Sequence, residues 1–200
     1  MSKQRSKNQI TIISAVCAIA CVALIVVPHL RKDSAAYAVA QPIETSQPAC
    51  TPDIAAPSAY EIPLCIVGQQ EQHITHIGYQ VSYNSDWHIP NWVAYQLTAK
   101  EVAGEEERSN KFLPDPLVDG DPVLTSDYTH SGFDRGHMAP AADMKWSPQA
   151  MRESFYMTNI CPQNHSNNAG DWKDLEVFVR DLAAAYGNIY LACGPVVSDT

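Results

Sequence analysis

Two stretches in the middle of the chain place hydrophobic residues at alternate positions. In the first, every second residue from Ile77 to Tyr83 is apolar or aromatic, and Val93, Tyr95 and Leu97 repeat that spacing in the second. Because successive side chains of a strand point to opposite faces, a period of two is typical of a strand with one buried face. A turn-forming segment at 87–90 separates the stretches, so together they predict a pair of neighbouring strands.

A helical spacing replaces this alternation after residue 171. Apolar residues recur three or four positions apart at Trp172, Leu175, Val179, Leu182 and Tyr186. This spacing predicts an amphipathic helix of about four turns that ends at Gly187. Ser147-Pro148 predicts a second, shorter helix through about Phe155, with serine as the N-cap and proline at the first helical position.

Further segments complete the predicted fold. Residues 155–161 and 189–197 are short and apolar and predict two more strands. Residues 104–108 are charged and residues 114–122 are rich in proline and glycine, so both predict loops. Strands and helices are mixed along the chain, which predicts an α+β fold with a mixed or antiparallel sheet and flanking helices.

Residues 1–33 have the composition of a targeting segment. Lys3, Arg5 and Lys7 precede an uncharged, mostly apolar run from Ile10 to Val27. As a helix this run would be about 27 Å long, which is borderline for the hydrocarbon core of a bilayer. The preceding cations predict that the N-terminus stays in the cytoplasm and that the rest of the chain is exported.

Three versions of this targeting segment remain open. We favour an uncleaved signal anchor because residues 28–32 end the apolar run abruptly. The alternatives are a signal cleaved after Ala38-Val39-Ala40 and a lipid-modified Cys21. All three place the following domain outside the cytoplasm, either tethered in the periplasm or at the cell surface, or secreted if the signal is cleaved.

A spacer separates the targeting segment from the folded part. Residues 34–60 are rich in alanine, proline, serine, threonine and glutamine, and they bury too little apolar surface to fold. We therefore expect three regions: residues 1–33 as the targeting segment, 34–60 as a flexible linker, and 61–200 as the folded domain.

The formal charge of −9 excludes one class of nucleic-acid-binding protein. Five of the thirteen basic residues lie in residues 3–32, so few remain to form a broad basic surface. Because phosphate affinity comes mainly from lysine and arginine, the composition argues against a protein that reads DNA sequence. It remains compatible with an enzyme that contacts phosphate locally, with help from a metal ion.

Four cysteines lie beyond the apolar run, at Cys50, Cys65, Cys161 and Cys193. An exported domain can form disulfides, and the pairs 50–65 and 161–193 are candidates. Buried thiols are an equally good interpretation of the second pair. The absence of C-x-x-C spacing argues against zinc.

Residues Asp134-Arg135-Gly136-His137, followed by Asn168 and Glu176, carry the candidate chemistry. Hydrolysis of a phosphodiester needs an activated water, countercharge for the transition state and stabilisation of the departing oxygen. His137 suits the role of general base, and Arg135 offers a planar fork for phosphate oxygens. Gly136 would let a phosphate approach the backbone.

Asn168 and Glu176 would hold a metal ion from the start and the second turn of the amphipathic helix. Eight residues of helix separate them by about 12 Å, so we expect Asn168 to bind directly and Glu176 through a water. Mg²⁺ keeps most of its waters and takes few protein ligands, and it fits this set. Taken singly, Asn168 could be only an N-cap and Glu176 only a solvated helix residue.

Three ordered blocks resemble the DNA/RNA non-specific endonuclease family, in its endonuclease G-like branch. They are residues 131–140, residues 155–163, and the pattern Asn168-x-x-x-Trp172-x-x-Leu175-Glu176. The resemblance implies a ββα-metal nuclease core with His137 at the end of a strand and Asn168 on the following helix. It also implies one Mg²⁺, for which Mn²⁺ can substitute, and hydrolysis of both DNA and RNA to products with 5′-phosphate ends.

The resemblance also implies a role for each site residue. His137 is the general base, Asn168 the direct metal ligand and Glu176 the holder of a metal-bound water. Arg135 contacts phosphate, and Arg108 is the arginine that stabilises the transition state, with Lys111 as an alternative in that role. Asp134 braces the motif loop. The expected partners are DNA and RNA, the membrane through the N-terminal segment, and a second copy of the chain in a homodimer.

Two departures from the family pattern and two rival functions complete the predictions. Asn167 stands where the family often has an apolar residue, which loosens the entry to the helix. Relatives usually continue past the position of Thr200 with further strands and a helix, so we expect an under-packed core if the natural product ends there. The main rival is a non-catalytic cell-envelope protein that binds or takes up nucleic acid on a degenerate nuclease core. The other is a structural envelope domain held by disulfides.

Overall fold

The structure is a computed structural model that describes residues 23–25, 62–63 and 70–197. Helices and strands are mixed along the chain, which confirms the predicted α+β class. The strands are β1 (Ala23–Ile25), β2 (Gln72–Thr75), β3 (Gln80–Asn84), β4 (Ile89–Thr98), β5 (Asp134–His137), β6 (Ile160–Gln163) and β7 (Asn188–Cys193). The α-helices are α1 (Ala99–Val102), α2 (Pro148–Glu153), α3 (His165–Ala169) and α4 (Asp171–Tyr186). Three short 3₁₀ helices lie at Thr125–Tyr128, Ala141–Met144 and Met157–Asn159.

The strands form two antiparallel sheets. Five strands are ordered β1-β7-β4-β3-β2, and β5 pairs with β6 in a separate two-stranded sheet. The predicted pair around Tyr83 and Val93 is therefore confirmed as β3 and β4, with a register shift between Ser82 and Tyr83. In the centre of β4, four consecutive residues from Trp92 to Tyr95 are buried, so both faces of the sheet are covered there.

Ile77 does not belong to the strand predicted from its alternation. It lies in a bend before β3 and is 50% exposed. The neighbouring Gly78 explains the bend, because a Cβ at that position would lie 2.4 Å from the sulfur of Met144. The chain crosses a packed methionine at this point, and the regular strand begins only at Gln80.

The helix predicted after Ser147 is confirmed, and it ends earlier than expected. The Ser147 hydroxyl accepts hydrogen bonds from the backbone N–H groups of Gln149 and Ala150, and α2 ends at Glu153. The strand predicted at 155–161 is displaced, because a 3₁₀ turn occupies 157–159 and β6 begins at Ile160. The buried Asn159 amide accounts for this turn: Nδ2 donates to Ala139 O and Ser154 O, and Oδ1 accepts from Ala139 N.

The amphipathic helix is confirmed as α4, which ends at Gly187 with a left-handed φ of 84°. Trp172 and Val179 are buried in the core, whereas Tyr186 is 61% exposed and does not contribute as expected. Asn168 was predicted to begin this helix. Instead it lies in the separate helix α3, and Gly170 separates the two helices.

The cysteines and the N-terminal segment complete the comparison with the predicted organisation. Cys161 and Cys193 are both buried and are not bonded to each other, so the disulfide alternative for this pair is wrong. The pair 50–65 and the linker 34–60 lie outside the described residues. So does most of the apolar run, of which Ala23–Ile25 forms a strand beside β7 rather than helix. No helix in the described part of the chain is long and apolar enough to cross a membrane.

Candidate active site

The two-stranded sheet carries the motif Asp134-Arg135-Gly136-His137. Its four residues are the whole of β5, and each pairs with one residue of β6, from Asp134 with Gln163 to His137 with Ile160. His137 therefore lies at the end of a strand, as the family resemblance implies. The indole Nε1 of Trp172 donates to the His137 carbonyl oxygen at 3.1 Å and ties α4 to this strand end.

Gly136 has a different role from the one predicted. A Cβ at this position would lie 2.1 Å from Oε1 of Gln163 and 2.5 Å from its Cγ, so the Gln163 side chain fills the space next to the glycine. Gln163 is 2% exposed. The missing side chain at Gly136 therefore admits a buried glutamine from the paired strand and does not open the backbone to phosphate.

Asp134 connects the strand to α3. Its Oδ2 accepts hydrogen bonds from Asn168 Nδ2 at 2.9 Å and from His165 Nδ1 at 2.8 Å. The hydrogen bond from Asn168 is the largest effect that lowers the pKa of Asp134. An ionised carboxylate can only accept hydrogen bonds, so the amide nitrogen of Asn168 must face Asp134 and the amide oxygen must face away.

The orientation of Asn168 suits a hard cation. The Oδ1 atom is an oxygen ligand of the type that Mg²⁺ takes, and no hydrogen bond to it is present within residues 70–197. No group of three or more His, Cys, Asp or Glu side chains in the described residues could hold a metal. A single amide oxygen from Asn168 suits a cation that takes few protein ligands and keeps most of its waters, as Mg²⁺ does.

Two phenylalanines support the basic residues of the site. The rings of Phe112 and Phe155 meet edge to face at 5.1 Å. The guanidinium of Arg135 lies over Phe112 at 4.4 Å from the ring centre, and that of Arg108 lies over Phe155 at 5.0 Å. We call Phe112 and Phe155 the aromatic pair. Because guanidinium groups stack favourably on aromatic faces, each ring of the pair positions one of the two cations.

His137 packs against the aromatic pair. Its ring lies 4.8 Å from Phe155 and 5.5 Å from Phe112, and the residue is 7% exposed. Burial, and then the charge of Arg108, lowers the pKa of His137 to about 3. The ring is therefore neutral at physiological pH. Its Nε2 is buried, and no hydrogen bond to it is present within residues 70–197.

Glu176 lies on α4 in a second cluster of charged residues, with Asp143 and Arg180. Burial, and then repulsion by Asp143, raises the pKa of Glu176 to about 7, while the charges of Arg180 and Arg108 oppose that rise. Asp143 is fully buried, and it accepts hydrogen bonds from Arg180 Nη1 at 2.8 Å and from the Tyr95 hydroxyl at 2.7 Å. Arg108 thus acts on both Glu176 and His137.

The predicted site residues do not all meet in one cavity. An open cavity of about 430 Å³ is lined by Arg135 and Asn168, together with Asp134 and aromatic residues. Lys111 lines a different cavity, of about 390 Å³, with Glu106, Glu107 and Arg152. Lys111 therefore does not share the cavity of Asn168. Arg108 does not line that cavity either, and its guanidinium lies over Phe155.

Several residues of this site had no assigned role in the sequence analysis. Phe112, Phe155 and Asp143 are distant in sequence from the residues they contact. Phe155 begins the family block 155–163, but that block does not indicate a contact with Arg108. His165 had a weak signal, because it is a polar residue three positions before Asn168 on the same short helix. Its contact with Asp134 depends on how α3 lies against β5, which the spacing does not specify.

Comparison with known proteins identifies the family. The family model for DNA/RNA non-specific endonucleases matches residues 58–200. The mitochondrial nuclease EXOG of Danio rerio is 44% identical over 122 residues, which cover 58% of this chain and 35% of that protein. A nuclease of Nostoc sp. is 38% identical over 119 residues, or 58% of this chain and 43% of that protein.

Endonuclease G of Homo sapiens is 39% identical over 107 residues, covering 52% of this chain and 36% of that protein. This chain thus spans less than half the length of these relatives. A solved structure of EndoG in complex with EndoGI has a TM-score of 0.58 and 34% sequence identity, and covers 61% of this chain and 52% of that one. The similarity in sequence and fold agrees with the family match, which spans more than half of the chain, and the chain therefore belongs to the DNA/RNA non-specific endonuclease family.

Proposed function

We propose that this chain is a Mg²⁺-dependent endonuclease that hydrolyses phosphodiester bonds of DNA and RNA without selecting the sugar. One observation carries the proposal: His137, Arg135 and Arg108 gather on the aromatic pair, and Arg135 shares a cavity with Asn168. A general base, two phosphate-binding cations and an oxygen ligand for a metal are the groups that this hydrolysis requires. On this proposal, β5, β6 and helix α3 form the ββα-metal core.

His137 acts as the general base in this proposal. Its ring is neutral because the pKa is about 3, so a ring nitrogen can accept a proton from a water. A pKa this low makes a weak base before substrate binds. Arg108 contributes to the lowering, and a bound phosphate would offset that charge and raise the proton affinity of the ring.

Arg135 and Arg108 bind the scissile phosphate in this scheme. Each guanidinium carries several N–H donors in one plane, and the aromatic pair holds both planes in place before substrate arrives. Preorganised cations stabilise the charge that develops on the phosphorane oxygens without reorganising during the reaction.

Asn168 would hold the metal directly, and Glu176 would hold one of its waters. When bound, Mg²⁺ supplies positive charge to the phosphorane and to the departing 3′-oxygen. Asp134 fixes the Asn168 amide so that Oδ1 faces away from the carboxylate. Arg108 and Arg180 oppose the rise in the pKa of Glu176 to about 7, and the ionised carboxylate is the stronger acceptor of a hydrogen bond from water.

Plasmid nicking tests this function. The wild-type chain should convert supercoiled plasmid to nicked circles with Mg²⁺, lose this activity in EDTA, and regain it when Mg²⁺ is added in excess. His137→Ala should abolish nicking while fluorescence polarisation still detects binding of a labelled oligonucleotide. His73→Ala, on strand β2 of the other sheet, is the matched control and should nick like the wild type.

Each outcome of this test has a defined meaning. Activity above a few per cent of wild type in His137→Ala would remove His137 from the role of base. Cutting that persists in EDTA would remove the metal role of Asn168. Binding without any nicking by the wild-type chain would favour the non-catalytic rival.

A further inference from the structure

The cavity beside Asn168 has a lining that the proposed chemistry leaves unused. Besides Arg135 and Asn168, its wall includes Thr125, Tyr128, Thr129 and Phe133. His137, Arg108 and Glu176 do not line it. The cavity therefore extends away from the general base, on the side of the metal-binding amide.

We propose that this cavity is the subsite for the nucleoside whose 3′-oxygen departs, and that the base of this nucleoside stacks unpaired on Phe133. The proposal rests on the proposed function. It adds the position of one nucleotide of the substrate and the statement that its base is unpaired.

The direction of attack places this nucleoside in the cavity. In a displacement at phosphorus, the attacking and departing oxygens lie roughly in line on opposite sides of the phosphorus atom. The attacking water is activated at His137, so the departing 3′-oxygen lies on the far side. Since Arg135 and Asn168 line the cavity and His137 does not, the sugar that bears the 3′-oxygen enters the cavity.

The lining suits a nucleoside. A cavity of about 430 Å³ is within the range of pockets for single small ligands, a class to which a nucleoside belongs. Phe133 is partly exposed and offers an aromatic face. Stacking on an aromatic side chain is worth about 1–3 kcal/mol per base and tolerates any base, as a nuclease without sequence preference requires.

The backbone of Phe133 is held in place just before β5. Its backbone N–H donates to the Ser131 hydroxyl at 3.2 Å, and the intervening Gly132 has a φ of 83°, which favours glycine. Tyr128, another residue of the lining, is anchored by its hydroxyl, which donates to the Ile160 carbonyl oxygen at 3.4 Å. The backbone at Phe133 and the Tyr128 hydroxyl are therefore held in place without a ligand.

The hydroxyl groups of the wall explain why neither sugar is selected. The Thr125 hydroxyl is already engaged, since it donates to the Phe112 carbonyl oxygen at 3.3 Å. Thr129 is exposed, and no hydrogen bond of its hydroxyl is present within residues 70–197. The exposed Thr129 hydroxyl can form a hydrogen bond with a ribose 2′-OH. A deoxyribose lacks that group and costs the wall no other contact.

The test combines a ring substitution with base removal. The substrates are single-stranded ten-nucleotide DNAs, one intact and others with an abasic residue directly 5′ or directly 3′ of a mapped cleavage bond. Phe133→Leu keeps an apolar side chain and removes the aromatic face, whereas Phe133→Tyr keeps the face. Phe178→Ala is the matched control, because Phe178 is 54% exposed on α4.

On the intact substrate we expect Phe133→Leu to raise KM about tenfold with a smaller change in kcat, while Phe133→Tyr and Phe178→Ala stay within twofold of wild type. A base missing on the 5′ side should weaken wild-type cleavage at that bond to a similar extent and add little in Phe133→Leu. This non-additivity marks a direct contact between ring and base. Circular dichroism checks that each variant folds. If Phe133→Leu folds poorly, the comparison uses Phe133→Tyr, which keeps the aromatic ring, together with the abasic substrates.

Two results would overturn the subsite. One is an unchanged KM in Phe133→Leu. The other is an effect of base removal only on the 3′ side of the bond, which would place the departing nucleoside elsewhere. Failure of the proposed function is distinguishable from both, because the wild-type chain would then cleave none of the oligonucleotides with Mg²⁺ present.

Discussion

The carboxylate of Asp134 and the amide of Asn168 meet across the junction of β5 and α3, where Nδ2 donates to Oδ2 at 2.9 Å. This contact turns the amide oxygen of Asn168 away from the strand. The motif residue and the candidate metal ligand are 34 positions apart in the chain, and one hydrogen bond fixes their relative orientation. Asp134 thereby orients the candidate metal ligand, which is more specific than the predicted bracing of a loop.

Asp134→Ala should weaken metal binding. Without its hydrogen-bond acceptor, the Asn168 amide can rotate and present nitrogen to the cation. Loss of such an orienting partner typically costs 10–100-fold in metal affinity or activity, and we expect the Mg²⁺ concentration for half-maximal nicking to rise by about tenfold. A titration of plasmid nicking against Mg²⁺ measures this shift.

His165→Ala serves as the comparison for that titration. It removes the other hydrogen bond to Asp134 and leaves the one from Asn168, so the shift should be smaller. An unchanged Mg²⁺ requirement in Asp134→Ala would show that the amide does not depend on Asp134 for its orientation.

Phe112→Leu should lower kcat/KM by about fivefold, because a cation–π contact is worth about 1 kcal/mol and Arg135 loses the ring that positions it. Arg135→Lys should have a similar effect, since an ammonium keeps the charge and loses the planar stacking. The double variant should be little worse than either single variant. Initial rates of nicking on one plasmid measure all three, and fully additive effects would mean that the two residues act separately.

The pH dependence of stability should report the buried state of His137. Burial lowers its pKa to about 3, whereas the unfolded chain has the ordinary value near 6.5. The unfolded state binds the extra proton first as the pH falls. The contribution of His137 to the free energy of unfolding is therefore fully present above pH 6.5. It is lost as the pH falls toward 3, by up to about 1.4 kcal/mol per pH unit.

His137→Gln should remove this loss, so its stability should fall by roughly 2 kcal/mol less between pH 7 and pH 5 than that of the parent. Glu176 acts in the opposite direction, because its raised pKa of about 7 reduces stability as the pH rises from 4.5 to 7. Urea unfolding is therefore best compared in a Glu176→Gln background. Equal pH dependence with and without His137 would indicate that the ring is accessible to protons in the folded state.

Asp143→Ala should destabilise the fold by about 3 kcal/mol, because removing one partner of a buried ion pair leaves an uncompensated charge. Asp143 is fully buried, and both Arg180 and Tyr95 would lose their acceptor. Asp181→Ala, at an exposed position of α4, should change stability by less than about 0.5 kcal/mol. Urea unfolding at pH 7 measures both, and a similarly small effect of Asp143→Ala would mean that the network contributes little.

Local patterns predicted the elements whose periodicity is long or whose ends carry clear signals. Helix α4 and the pair β3 and β4 followed from spacing, and α2 followed from Ser147-Pro148. The errors lie where a tertiary contact overrides the pattern. Ile77 continues the alternation of β3, but the chain bends there at Gly78, against Met144.

The sequence by itself determined the family, the α+β class and the set of candidate side chains, because residue types and their spacing are written in the chain. The tertiary structure decided which of them meet. It separated Lys111 from Asn168, filled the space beside Gly136 with Gln163, and placed Arg108 over Phe155 and Arg135 over Phe112, contacts that no motif indicates. Such contacts join residues distant in the chain, and they depend on how side chains fill one packed interior, which local spacing does not encode.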